Sequence, residues 1–308
     1  MAPLKGEKVL VVGCTGQVAL PVMKALAPDN DVWGIARFKN PFAKAEIDEL
    51  GVTCRQVDLS EPDLSAVPGD FDYVLNFSVA RTNDWTADLD SNAGAMGFLI
   101  EHCRKSKALL HCSTTAVYEP QPDHLFTEED PLGDNHRVWA ESLPFLSTYS
   151  ISKIAAEAMV RYASKRWELP TIICRLCVPY GNHGGWPSVH LELMHAGIPI
   201  EVHPDRPNRY NPIHEDDIVA SIPALLSAAD VPPPVVNWGG APSSLDEWCT
   251  YLGELTGLTP DFVETEKTIA GVPIDVTKLT KIAGPMDKVD IRAGLKRMVE
   301  ARHPDWLV

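Results

Sequence analysis

The chain has 308 residues, 45% hydrophobic and 22% charged, with a formal net charge of −15 and a pI near 5.0. That composition belongs to an ordinary globular protein, long enough to bury a full core as one large domain or two unequal ones. The acidity argues against nucleic acid or an anionic membrane surface as a partner, because either would repel it.

The opening "MAPLKGEK" lacks the apolar core of a signal peptide, and no apolar run reaches the ~18 residues that a membrane span needs. Seven cysteines are scattered along the chain, several inside apolar runs (Cys54, Cys112, Cys174), which suits buried thiols in a reducing cytoplasm. Cys174 and Cys177 form a C-x-x-C, but on an expected strand and without a second pair. "HLELMH", from His190 to His195, lacks zinc spacing. No metal is expected.

In chain order, apolar runs at Lys8–Val12, Asp31–Ala36, Val52–Val57, Tyr73–Phe77, Ala108–Cys112 and Thr171–Leu176 alternate with helical patterns. This rhythm predicts βαβ units and an α/β fold with a doubly wound parallel sheet of the Rossmann type, covered by helices on both faces. Past Pro179, "VPYGNHGGWP" and "EVHPDRPNRYNPIHEDD" read as loops that shape a site. The helix in "EDDIVASIPALLSAA" starts on acidic residues that suit the helix dipole, and "PVVNW" returns a strand to the sheet. Helices at Ser244–Thr256 and Asp290–Arg302 follow. The expected division is a dinucleotide-binding domain over 1–178, with 212–238 returning to it. A smaller C-terminal substrate-binding domain takes 179–211 and 239–308.

The first strand runs into "GCTGQVA". Gly13 supplies a tight turn, and Gly16 lets backbone amides approach a pyrophosphate at the positive end of the following helix. Thr15, Gln17 and Val18 belong to the same turn, and Ala19 meets the demand for a small residue in the third glycine's place. At the end of the second strand, "WGIARFKN" puts Ala36 where an NAD site carries an acid, followed by Arg37 and, nearby, Lys39. A guanidinium matches a 2′-phosphate bidentately, so NADP is the expected cofactor, with NAD possible.

Further on, Tyr149 and Lys153 in "YSISK" lie four apart on an expected helix and share a face. "HCSTTAVY" brings the hydroxyls of Ser113, Thr114 and Thr115 to the carboxyl edge of the sheet, where open α/β sheets bind ligands. A free phenol ionises near pH ~10, so Tyr149 as a base needs its phenolate stabilised, by Lys153 and by an oxidised nicotinamide. Thr114 then holds the substrate oxygen. Trp139 and Trp186 are candidate apolar walls of a substrate pocket, with ordinary packing an equal reading.

These motifs together resemble the extended short-chain dehydrogenase/reductases, the NAD(P)-dependent epimerase/dehydratase family. The likeness spans nearly the whole chain. "VDLSEPDL" (with Asp58 and Leu59), "NFSVA" (with Ser78), Asn92 in "DSNAGAMGFL", "STTAVY", "YSISK", "PIHEDDIVASI" and "VVNWGGAPSSLDEW" are similar to the family's segments. "WGIARFKN" resembles GDP-mannose dehydratase more than UDP-galactose epimerase. The resemblance implies a catalytic set of Thr114, Tyr149 and Lys153. It implies cofactor contacts from Asp58, Leu59, Ser78, Asn92, Tyr149, Lys153 and Val178. It also implies a homodimer through the helices starting near Asn92 and Tyr149. Two departures stand out. Val178 replaces the usual Asn of R-x-x-N-V-Y-G-P, and Tyr210 takes the place of a diphosphate-gripping Arg, leaving Arg209 displaced by one. The expected reaction is therefore reversible hydride transfer between NADP(H) and a small secondary alcohol or ketone. The alternative is a nucleotide-sugar epimerase or dehydratase that recycles its cofactor.

Overall fold

In the structure, a computed structural model that describes residues 4–39, 41–122, 124–137 and 147–308, the first apolar run forms strand β1 (Lys8–Val12). It lies near the middle of a seven-stranded sheet with β2 (Asp31–Ala36), β3 (Thr53–Gln56), β4 (Tyr73–Asn76), β5 (Ala108–Thr114), β6 (Thr171–Leu176) and β7 (Val235–Trp238). The spatial order is β7-β6-β5-β4-β1-β2-β3. The pairs β1–β2, β1–β4, β2–β3 and β4–β5 are all parallel. This is the expected doubly wound Rossmann-type α/β fold. The strand order reverses between β1 and β4, so their carboxyl ends open a crevice there.

The chain divides into two compact units. One comprises Met1–Thr114, Thr148–Arg175 and Val219–Val236, and the other Thr115–Ser147, Leu176–Ile218 and Asn237–Val308. In the first, Leu10, Val12, Ile35, Val74, Leu109 and Ile173 from the sheet pack with Met96, Leu99, Ile100 and Val160 from the helices. In the second, Tyr180, Leu191, Trp248, Leu252, Leu295 and Met298 make a separate core. The segment Thr115–Ser147 groups with the second unit, although it falls within 1–178. Its bonds explain this: Phe126 N–H donates to Pro273 O at 2.9 Å, Asp275 N–H to Phe126 O at 2.8 Å, and the Tyr118 hydroxyl to Asn237 Oδ1 at 2.5 Å.

Local chemistry sets the helix ends. Ser244 and Glu247 form a capping box that starts the helix Leu245–Thr256, and the Asp290 carboxylate accepts from Arg292 and Ala293 to start Ile291–Arg302. Both helices therefore begin one residue inside the expected spans. β5 runs two residues further than expected, to Thr114, which carries Ser113 and Thr114 on the strand end.

The helix Tyr149–Trp167 is fastened to the sheet by a buried ion pair. Glu157 and Arg175 are each 1% exposed. Arg175 donates from Nε and Nη2 at 3.0 and 2.9 Å, and Ser113 Oγ donates at 2.6 Å to the same carboxylate. Removing one partner leaves an uncompensated buried charge. We expect Arg175→Met to lower unfolding stability by about 3–5 kcal/mol in urea titrations, and Glu157→Leu added to it to restore most of that loss. A single variant as stable as the parent would refute the pair's role.

Candidate active site

At the crevice, Gly13 has φ +76°, and a Cβ there would come within 2.8 and 2.9 Å of Ser78 Cα and N. Only glycine lets the chain leave β1 so close to the end of β4. Gly13 N–H donates to Ile35 O at 2.8 Å and Gly16 N–H to Gly13 O at 3.0 Å, closing the turn. The helix Ala19–Leu26 that follows has no acidic residue in its first turn and no side-chain cap at Val18. No carboxylate of that turn would repel an anion brought to the positive helix end. Ala19 is fully buried, as its packing role requires.

A groove of about 260 Å³ opens beside this turn, walled by Gly13, Thr15, Gly16, Arg37, Asp58, Leu59 and Ser78 among others. Phe38 and Lys39 share its β2 side, and Val79, Ala80 and Ser91 its β4 side. The Asp58 carboxyl is held below its usual range by the Ser60 N–H it accepts at 3.1 Å, then by the Ser60 hydroxyl at 2.9 Å, with Arg37 and Lys39 adding their charge. Ser78 is fixed by two bonds to Asn76 Oδ1, at 3.1 Å from its N–H and 2.7 Å from its hydroxyl. A small glycine turn, an uncapped helix start, a basic strand end and an acid opposite form a cradle of the shape and charge that a dinucleotide requires. The residues fit the cofactor that the motif implies. Gln17 and Val18 stand at the helix entry behind the turn.

At the end of β5, the Thr114 side chain hydrogen-bonds Tyr149. Of the other two candidate hydroxyls, Ser113 is committed to Glu157, and Thr115 is buried at the start of the short 3-10 turn that follows the strand. Tyr149 is half-buried, and the dense protein around its oxygen pushes the phenol above its ordinary value, against the Thr114 bond and the Arg81 charge, which pull it down. Lys153 is 3% exposed, and its burial pushes the ammonium below its usual range. Lys153 Nζ donates to Cys112 O at 2.8 Å. The cation facing the Tyr149 ring is Arg81, 5.8 Å from its centroid.

Asn92 sits in a five-residue π-helical segment, Asp90–Gly94, and is buried. Its side chain accepts from Ala80 N–H at 2.7 Å and donates to Ala80 O at 2.9 Å and to Ser152 Oγ at 3.0 Å. Its partners in this structure are protein groups, while its neighbour Ser91 lines the groove.

In the second unit, Val178 has φ +40°, a left-handed conformation that a β-branched residue rarely adopts, and its carbonyl accepts from Ile213 N–H at 3.1 Å. Trp186 belongs to an aromatic cluster, with ring centroids 5.1 Å from Tyr210 and 5.3 Å from His190. Arg209 is exposed on a two-residue strand paired with Ser243–Ser244. Trp139 lies outside the described residues. Among the described residues, no cluster of His, Cys, Asp or Glu is placed to hold a metal ion, and no helix is long and apolar enough to cross a membrane. Sequence reasoning missed Arg81 and Asp88. Arg81 lies in the loop after β4 and Asp88 within the short helix Trp85–Leu89, and no spacing marks either of them.

Residues 9–239 match the NAD dependent epimerase/dehydratase family. The low-salt glycan biosynthesis protein Agl12 of Haloferax volcanii is 27% identical over 256 residues, 75% of this chain and 75% of its own. Among solved structures, UDP-glucuronic acid 4-epimerase from Bacillus cereus, in complex with UDP-glucuronic acid and NAD, has a TM-score of 0.80 at 20% identity. That match covers 95% of this chain and 98% of that one. UDP-N-acetylglucosamine 4-epimerase from Methanobrevibacter ruminantium M1, in complex with UDP-N-acetylmuramic acid, has a TM-score of 0.82 at 17% identity, covering 97% and 98%. The fold is common to this chain and the two solved structures. With the motif order, the glycine turn and the family match in agreement, this chain is an enzyme of the NAD dependent epimerase/dehydratase family.

Proposed function

We propose that this enzyme oxidises and re-reduces a secondary hydroxyl of a nucleotide-linked sugar, as a 4-epimerase does, with its dinucleotide retained. The observation that carries the reading is the Thr114–Tyr149 hydrogen bond at the carboxyl edge of the same sheet whose switch point holds the glycine-turn groove. The UDP-sugars bound in the similar solved structures support a nucleotide sugar over a generic alcohol. In this reading the first unit binds the dinucleotide and the second the substrate, with Trp186 and Arg209 as substrate-side candidates.

When bound, the dinucleotide supplies the acceptor and donor of a hydride. Tyr149 takes the proton from the sugar hydroxyl and later returns it. Thr114 orients that oxygen and, by donating a hydrogen bond, favours its charged form. Lys153, anchored on the Cys112 carbonyl, brings a buried positive charge to the same helix turn and holds the nicotinamide ribose. Thr15, Gly16, Gln17 and Val18 would hold the pyrophosphate, Asp58 and Leu59 the adenine, and Ser78, Asn92 and Val178 would complete the cofactor-binding set. Arg37, seconded by Lys39 and with no acid at Ala36, favours NADP over NAD.

A second reading is a reductase that releases its reduced or oxidised cofactor and acts on a substrate without a nucleotide. Val178 favours it: the backbone keeps the left-handed turn that Asn tolerates, yet the polar amide is gone. Seven cysteines without a disulfide support a reducing, cytoplasmic setting for either reading. We also propose a homodimer through the helices Ala95–His102 and Tyr149–Trp167, whose surfaces leave Phe98 (58%) and Tyr162 (64%) exposed.

Incubation with UDP-sugars should interconvert epimers with no net change in added NADPH. Accumulation of oxidised or reduced cofactor with simple ketones or alcohols instead would move the second reading to first place. In either assay Tyr149→Phe should lose about 100–10,000-fold in turnover, and near-full activity would remove Tyr149 from proton transfer. In fluorescence titrations, Arg37→Ala should weaken NADPH by about 10–150-fold and leave NADH nearly unchanged; equal losses for both would refute the 2′-phosphate assignment. Phe98→Glu with Tyr162→Glu should sediment as monomers, and a dimer that survives both changes would place the interface elsewhere.

A further inference from the structure

Arg81 and Asp88 have no task in the proposed reaction, yet both are tied to it by geometry. Arg81 lies in the loop that follows β4, and its guanidinium sits over the Tyr149 ring, 5.8 Å from the centroid. Its two chain neighbours are each clamped. On one side, Asn92 takes the N–H of Ala80 at 2.7 Å and gives to its carbonyl at 2.9 Å. On the other, the Asp88 carboxylate accepts the Thr82 N–H at 3.0 Å on both oxygens and the Thr82 hydroxyl at 2.8 Å.

The same two buried side chains reach the helix that carries Tyr149 and Lys153. Asp88 also accepts the hydroxyl of Thr148, the residue immediately before Tyr149. Asn92 also donates to the hydroxyl of Ser152, the residue immediately before Lys153. Asp88 is fully buried, so its charge is satisfied by these donors rather than by water. A carboxylate buried in this way costs free energy that an apolar side chain would not, and what it provides is register between the Arg81 loop and the start of the tyrosine helix.

We propose that Arg81 is a second cationic group for the proton-transfer tyrosine, and that Asp88 is the positioning residue that holds it over the ring. This rests on the reading of Tyr149 as the acid/base. A cation over a phenol face is weakly attracted to the neutral ring and more strongly to the phenolate. It therefore favours the ionised form, which the packing around Tyr149 opposes. The groups facing Tyr149 from its surroundings are Arg81 from the β4 loop, Thr114 and Cys112 from β5, Asp88 through Thr148, and Lys153 one turn along its own helix. Of the two cations, Lys153 donates one hydrogen bond to the Cys112 carbonyl, and Arg81 is the one over the ring.

Arg81 is exposed, so Arg81→Gln is expected to fold as the parent does. The test is an ultraviolet difference titration of tyrosinate in the enzyme saturated with NADP⁺, read against Tyr149→Phe to isolate that one phenol among seven tyrosines. Loss of the positive charge should raise the Tyr149 midpoint by about 0.5–1 pH unit, the effect of a unit charge about 6 Å away in a largely watered setting. The acidic limb of the pH–rate profile in the oxidising direction should move up by the same amount. Arg81→Lys should recover most of the shift. Thr82→Val, at an exposed position, removes the hydroxyl bond to Asp88 without changing any charge and should move the midpoint the same way by a smaller amount. An unchanged midpoint in Arg81→Gln overturns the proposal. So does a weaker NADPH affinity with the midpoint unmoved, which would make Arg81 a phosphate contact. Full turnover in Tyr149→Phe would instead overturn the underlying reading, whatever the titration shows.

Discussion

Glu157 and Arg175 hold the helix Tyr149–Trp167 against the sheet through a two-pronged ion pair closed off from water, with Ser113 as a third partner. Two desolvated charges are stable there only at good geometry, because each loses its hydration and must recover it from the other. The pair therefore fixes where along β5 and β6 the helix sits. Everything chemical on that helix inherits the choice. Lys153 is one turn before Glu157 and reaches the Cys112 carbonyl, and Tyr149 is one turn earlier and reaches Thr114. The pair also occupies Ser113, which leaves Thr114 as the hydroxyl for the phenol.

A second set of buried polar groups holds the other side of the tyrosine. Asp88 and Asn92 come from one short helical segment and together tie Ala80 and Thr82 to Thr148 and Ser152. The π-helical turn at Asp90–Gly94 places Asn92 among these partners. Such one-turn widenings recur where a side chain must be re-aimed, at a cost in helix geometry. The start of the tyrosine helix is thus located by hydrogen bonds from two directions rather than by apolar contact, which would tolerate sliding.

The cofactor end is built differently, from backbone and from what is left out. Gly13 allows β1 to turn against Ser78, and the following helix carries no acid and no cap at its start. Arg37 and Lys39 gather opposite Asp58 at the ends of β2 and β3. Shape and sign of charge there follow from residues within a few positions of each strand end. For that reason this half of the site was legible early: a glycine turn after a strand and a basic pair after the next strand need no distant partner to be recognised.

Strand spacing, the glycine turn and the Tyr149–Lys153 interval depend on local periodicity, and the amino-acid sequence by itself determined them. β1, β2 and β6 have the expected bounds, and the helix starts at Leu245 and Ile291 miss by the one capping residue. The family motif already singled out Thr114 among three adjacent hydroxyls, and only the tertiary structure supplied a physical reason, because Ser113 is claimed by Glu157, 44 residues away. It alone brought Arg81 over the Tyr149 ring, since Asp88 and Thr148 join across 60 residues of chain. It also grouped Thr115–Ser147 with the second unit, through backbone bonds to Pro273 and Asp275 that no local pattern announces. Periodicity and turn chemistry act over a few residues and can be read in order. Which buried polar groups satisfy one another depends on packing between segments far apart in sequence, and that is settled only when the chain folds.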